Sequence, residues 1–119
     1  MSELLNLVLQ IDAILPQMND FLNQFHTIIL ENNINIVTDT ESNMFMDIPS
    51  NVSEEKTKYL KKKLEILDRL IYTRGDQLEE LFEKGSNMES VLRKENPQFK
   101  SVILDKLTEY NKLKSSYKH

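Results

Sequence analysis

Apolar residues near the start of the chain return at intervals of four and three: Leu4, Val8, Ile11, Leu15, Met18, Leu22, Phe25 and Ile29. An α-helix turns once in ~3.6 residues, so this spacing draws one continuous stripe down one side of a helix. A second stripe of the same rhythm runs through Leu60, Leu64, Leu67 and Ile71 to Leu78 and Leu81. A third apolar face is carried by Phe99, Val102, Ile103, Leu107, Tyr110 and Leu113. The pattern predicts an all-α fold of long amphipathic helices, of the coiled-coil or helical-hairpin type.

Breaker residues divide the chain into three parts. Residues 1–32 form an N-terminal helical segment, with Ser2 as N-cap and Pro16 in its middle. Proline lacks an amide donor and disfavours the helical region at the residue before it, here Leu15. A kink or a pair of helices is therefore expected, and the unbroken phase of the stripe across Pro16 favours the kink. Residues 33–52 read as a polar linker, because their Asn, Thr, Asp and Ser side chains compete with helix by bonding nearby backbone. Within it, Met44-Phe45-Met46-Asp47-Ile48-Pro49 is an apolar knot, either a staple on the chain's own helices or a peptide that docks on a partner.

Residues 53–119 read as C-terminal coiled-coil helices. The first begins near Asn51 to Ser53 and runs to Lys84. A break is expected at Arg74-Gly75: Arg74 interrupts the stripe, interior glycine costs about 1 kcal/mol against alanine, and Asp76-Gln77-Leu78-Glu79 has the form of a fresh capped start. Gly85 is a second candidate stop, followed by a capping box at Ser86-Asn87-Met88-Glu89. Asn96-Pro97 is a third, with Asn96 as N-cap and Pro97 in the first turn. The last helix extends to about Ser115, and Tyr117 is placed to continue it.

Composition supports helices and narrows the chemistry. The chain has 119 residues with 2 Gly, 3 Pro and no Trp, too few turn residues for a sheet protein. Charged residues make up 29 % and the formal net charge is −4, which argues against global attraction to nucleic acid or anionic membrane. The one basic run, Lys61-Lys62-Lys63, fans over roughly 200° of a helix and does not form a single patch. The absence of cysteine excludes disulfides and thiolate metal sites. The acidic start, Met1-Ser2-Glu3, lacks the basic region of a secretory signal, and no apolar run reaches membrane-spanning length. These features predict a soluble protein of the cytosol or nucleus.

No catalytic, cofactor-binding or metal-binding constellation is written in the sequence. His26 has Leu22 and Leu30 at the helical positions where a second ligand would stand, and His119 is terminal. Zinc needs three or four convergent ligands. Neither a phosphate-cradling glycine loop nor an EF-hand is present. Glu54-Glu55 and Glu79-Glu80 read as solvating charges, and Thr38-Asp39-Thr40-Glu41-Ser42 as a weak acid-directed phosphorylation string. The arginines Arg69, Arg74 and Arg93 are too few for a nucleic-acid surface. Arg74 is expected to snorkel or to meet a partner's carboxylate. The reading is a non-enzyme.

A hairpin of such helices buries one seam, and a small core seldom supplies more than ~3–5 kcal/mol. An antiparallel arrangement of this chain's own helices is expected to leave Phe21, Phe82 and Leu104 as apolar edges. A partner chain would then complete a four-helix bundle. The expected partner interface is Leu60, Leu64, Leu67, Ile71, Leu78, Leu81, Phe99, Ile103, Leu107, Tyr110 and Leu113. The N-terminal stripe from Leu4 to Ile29 is expected to pack on the completed bundle or on a neighbouring subunit.

The order of these features resembles the family of subunit nine of Mediator, the coactivator complex of RNA polymerase II. The first matching block is Ile11-Asp12-Ala13-Ile14-Leu15-Pro16-Gln17-Met18-Asn19-Asp20-Phe21-Leu22. The second runs from Tyr59-Leu60-Lys61-Lys62-Lys63-Leu64 through Leu70-Ile71 to Leu107-Thr108-Glu109-Tyr110-Asn111-Lys112-Leu113. These motifs are apolar spacings with a proline. Where many members break the long helix with Leu-Pro, this chain has Arg74-Gly75-Asp76. The resemblance implies a nuclear, non-catalytic subunit of the middle module. Its C-terminal helices would pair with Mediator subunit four, without cofactor, nucleic acid or small molecule. The alternatives are a coiled-coil subunit of a kinetochore or vesicle-tethering complex, and a self-sufficient homo-oligomeric bundle.

Overall fold

The computed structural model describes residues 2–38, 44–88 and 97–117. Helix α1 spans Ser2–Glu31, strands β1 (Asn35–Thr38) and β2 (Met44–Asp47) follow, then helix α2 (Glu54–Asn87) and helix α3 (Pro97–Tyr117). The protein is all-α in class, with a small antiparallel strand pair. It is elongated, 61 × 27 × 17 Å.

Helix α1 is a single helix through Pro16. The proline is exposed, while Leu15 and Met18 beside it are buried. Interior proline costs ~3 kcal/mol, and here packing on both sides outweighs it. Past the helix end at Glu31 the chain turns through Asn33, whose φ of 52° lies in the left-handed region that asparagine tolerates better than most residues. The Ile34 amide then donates to the Ile29 carbonyl at 3.1 Å, closing the last turn and placing Ile34 in the core.

The segment expected to be a linker without regular structure holds a hairpin. Ile36 pairs with Met46 and Val37 with Phe45. Alternation turns Ile36 and Met46 onto the helical core, joined by Ile48, while Val37 and Phe45 stay exposed. Four residues per strand are too few for a period of two to stand out in the sequence.

Helix α2 starts where expected. Ser53 is extended (φ −60°, ψ 154°), and its hydroxyl accepts from the Lys56 amide at 3.2 Å. Ser53→Ala is expected to cost about 1 kcal/mol, read as a lower denaturant midpoint with an unchanged slope. The helix does not break at Arg74-Gly75, nor does it stop at Gly85; it continues to Asn87. Met88 caps its end, with its amide donating to the Lys84 and Gly85 carbonyls. The expected restart at Ser86-Asn87-Met88-Glu89 lies partly outside the described residues, and the Asn96 cap lies wholly outside them.

Both glycines are contact points on the buried side of α2. A Cβ on Gly85 would lie 3.3 Å from Leu7 Cδ2 of α1 and 3.7 Å from Ile103 Cγ2 of α3. A Cβ on Gly75 would lie 3.6 Å from the Tyr110 hydroxyl of α3 and 3.9 Å from Met18 Cε of α1. These contacts set the register. The α1 and α2 helices are antiparallel, and α3 returns antiparallel to α2 and alongside α1. The Lys106–Asp12 ion pair between α3 and α1 agrees with it. At Gly75 the added methyl would meet ordinary van der Waals contact. Gly75→Ala is therefore expected to stabilise by about 0.5–1 kcal/mol through helix propensity. The melting temperature should rise by about 2–6 °C. Gly75→Val, whose branches would enter the Tyr110 and Met18 space, should lower it.

Candidate functional site

The apolar stripes of the helices meet one another. Leu4, Val8, Ile11, Leu15, Met18, Leu22 and Phe25 of α1 are buried, and Ile29 is half-buried against them. Of the residues assigned to a partner interface, Leu60, Leu64, Leu67, Ile71, Leu78 and Leu81 of α2 and Ile103 and Tyr110 of α3 are buried in this chain's own core. Leu107 and Leu113 are half-buried on it, and the Phe99 side chain lies outside the described residues. The three helices thus cover the stripes within the chain, with Gly75 and Gly85 of α2 facing side chains of both α1 and α3. Of the expected apolar edges, Phe21 and Phe82 are half-buried on the core, and only Leu104 is exposed. Leu7 and Ile34, which lie off the four-three spacing of the stripe, are buried as well.

Polar contacts fasten the helices at their margins. Arg74 donates from Nε to Gln17 Oε1 at 2.8 Å, and its guanidinium lies 5.8 Å from the centre of the Phe21 ring. The arginine that interrupts the stripe is therefore answered by α1, with its aliphatic stem beside the seam. On the other side of α2, Glu79 accepts from the Tyr110 hydroxyl at 2.9 Å and from Lys114 Nζ at 3.0 Å. The bond from Lys114, then that from Tyr110, holds the Glu79 carboxyl below its ordinary value. Burial, reinforced by Glu79, raises the Tyr110 hydroxyl.

Tyr117 is the main contact that spacing underrated. It is buried at the end of α3, edge-on to Phe25 at 5.2 Å and to Tyr72 at 5.8 Å, and its hydroxyl donates to Asp68. Burial and then the Asp68 bond raise its pKa well above the ordinary tyrosine value. Its place one heptad beyond Tyr110, itself one heptad beyond Ile103, was the available signal.

Among the described residues, no group of three or more His, Asp or Glu side chains gathers in an arrangement suited to a metal ion. His26 is half-buried, with its ring 6.2 Å from Phe25. Glu54, Glu55 and Glu80 are exposed, as are Lys61 and Lys62, whereas Lys63 is half-buried. An open cleft of about 450 Å³ lies between the start of α1 and the end of α2, over Leu7, Leu81 and Met88. No helix among the described residues is long and apolar enough to cross a membrane. No protein-family model, curated protein or solved structure matches the chain.

Proposed function

We propose that this chain is a non-catalytic structural subunit of the Mediator coactivator complex. It would sit in the nucleus and pair through helices with Mediator subunit four and neighbouring middle-module subunits, linking regulators to RNA polymerase II. The observation that supports this reading is the placement of the two blocks that resemble subunit nine. Ile11–Leu22 lies on α1, Tyr59–Leu113 spans α2 and α3, and the two pack on each other with the hairpin at one end. Such an arrangement serves as a rigid module that offers helix faces to other proteins. Because the chain's own core takes up the principal stripes, the partner's helices would meet the outer faces.

The test is affinity capture of the tagged native protein from nuclear extract, followed by mass spectrometry. Recovery of Mediator subunits, with subunit four near equal amount, supports the reading. Recovery of kinetochore or vesicle-tethering subunits without Mediator overturns it, as does recovery of no other subunit.

A further inference from the structure

Among the described residues, the side chains buried most completely all belong to α1 and α2; Leu22, Phe25, Leu64, Ile71 and Leu78 are among them. None belongs to α3. Its innermost residues, Ile103, Tyr110 and Tyr117, stand seven apart and remain 7 %, 4 % and 8 % exposed. Val102 and Leu104 of the same helix are open to solvent. The α1–α2 pair therefore closes its own seam, and α3 rests on the flank of that seam through one row. The polar bonds across this contact run one way. Lys106 donates to Asp12 of α1, and Tyr117 to Asp68 of α2. Tyr110 and Lys114 donate to Glu79 of α2 at 2.9 and 3.0 Å. In these four bonds the donors stand on α3 and the acceptors are carboxylates of the pair beneath. The charges of the elements agree: α1 has four carboxylates and no Lys or Arg, α2 has equal numbers of each sign, and α3 has four lysines against Asp105 and Glu109.

We propose that α3 is an autoinhibitory strap: it occupies a helix-binding face of the α1–α2 pair, and on release that face takes one amphipathic helix of the same make from a partner protein. The occupant is defined by the helix already seated there. It carries an apolar or aromatic residue at every seventh position, tyrosine at the last two of these, and lysine four residues after the central one. Gly75 and Gly85 let such a helix come close, since their missing side chains face the Tyr110 hydroxyl and the Ile103 methyl groups. Asp12, Glu79 and Asp68 fix its register by offering acceptors at successive levels. An acidic helix would set like charges against all three. Ion pairs at exposed margins hold weakly, and the element with the fewest deeply buried side chains opens first. While α3 is closed, the apparent affinity for an incoming helix falls by the fraction of molecules that are open. The face lies beneath α3 and is separate from the outer faces of the subunit reading, and the inference does not rest on that reading.

The probe is a fluorescent synthetic peptide of residues 97–119, added to the full-length chain and followed by anisotropy. Tyr117→Ala in the chain loosens its own α3 and leaves the face intact, so it should tighten peptide binding by at least about tenfold. Lys106→Ala with Lys114→Ala keeps the apolar row and loosens α3 less; it should tighten binding by at least about threefold. Adding Asp68→Asn and Glu79→Gln to the Tyr117→Ala chain alters the face itself and should cancel most of the gain. A peptide carrying Tyr110→Ser and Tyr117→Ser should fail to compete. In the wild type, amides from Ile103 to Leu113 should exchange at least about tenfold faster than those from Leu64 to Ile71. Peptide binding unchanged in both loosened chains would overturn the strap, as would exchange of α3 in step with α2. A Tyr117→Ala chain without a cooperative melt would do the same, because α3 is then part of one indivisible core. Binding that survives the carboxylate changes, or equal competition by the serine peptide, would remove the face as the binding surface. A wild-type dimer by sedimentation that Tyr117→Ala dissolves would make the occupant a second copy and overturn the partner. Affinity capture without Mediator would leave the strap standing, and failure of the peptide measurements would leave the subunit reading standing.

Discussion

Leu64→Asp is expected to abolish the cooperative thermal transition of the isolated chain. Leu64 has 0 % exposure, between the α1 and α2 stripes. Truncating a buried leucine costs ~2–5 kcal/mol before any charge is counted. Burying an unpaired carboxylate adds several more, or forces it to take up a proton. Domains of this size have ~5–15 kcal/mol of stability in all, so one change of this kind is comparable to the whole. Leu104→Asp is the control: the same chemistry at a position 50 % exposed should shift stability by about 0.5 kcal/mol or less. Far-ultraviolet circular dichroism during heating measures both. A native-like melt for Leu64→Asp would mean that the three-helix core is not what holds the chain together. Loss of partner binding in this variant would carry no information about an interface, because unfolding alone explains it.

Tyr117→Ala should undock α3 while α1 and α2 remain paired. Removing a buried aromatic ring costs ~3–5 kcal/mol, and this ring joins Phe25, Tyr72 and Asp68 at the last turn of α3. The expected signature is loss of amide hydrogen-exchange protection from Ile103 to Leu113, with protection around Leu64 to Ile71 retained. Uniform protection in the variant would contradict it. Tyr117→Phe keeps the ring and loses only the hydroxyl, for a cost of about 1 kcal/mol. The raised hydroxyl also fixes a pH dependence. A group whose pKa is higher folded than unfolded lends stability below its unfolded value, and that stability is lost as pH rises. The ordinary tyrosine value is 10.0, so the wild type should lose stability progressively above it. Tyr117→Phe should lose part of that alkaline sensitivity, leaving the share due to Tyr110, which is shifted the same way.

The helices were legible because each buries one side, and a buried side of a helix writes its own period into the chain. Ser53 was legible as a cap because its hydroxyl acts on the next turn without outside help. The hairpin was not, since Ile36 and Met46 acquire a role only when the end of α1 and the start of α2 come together beneath them. Gly75 was misread for a related reason. Its local cost in a helix is real, but the deciding fact is the Tyr110 hydroxyl from 35 residues away. Arg74 belongs with it, since Gln17 and Phe21, which answer it, stand on another helix.

Local spacing by itself determined that three stripes exist, where Leu4 to Ile29, Leu60 to Leu81 and Ile103 to Tyr110 lie, and that each must be covered. Which surface covers which was decided by tertiary structure. Burial is a property of one position and repeats along the helix, whereas pairing depends on contacts between residues far apart in sequence. Gly75 and Gly85 bring the helices close, Arg74, Glu79 and Tyr117 settle their order, and the principal stripes are thereby satisfied inside the chain. The carboxylates that hold α3, Asp12, Asp68 and Glu79, form one set only after that pairing is made, because they lie on different helices.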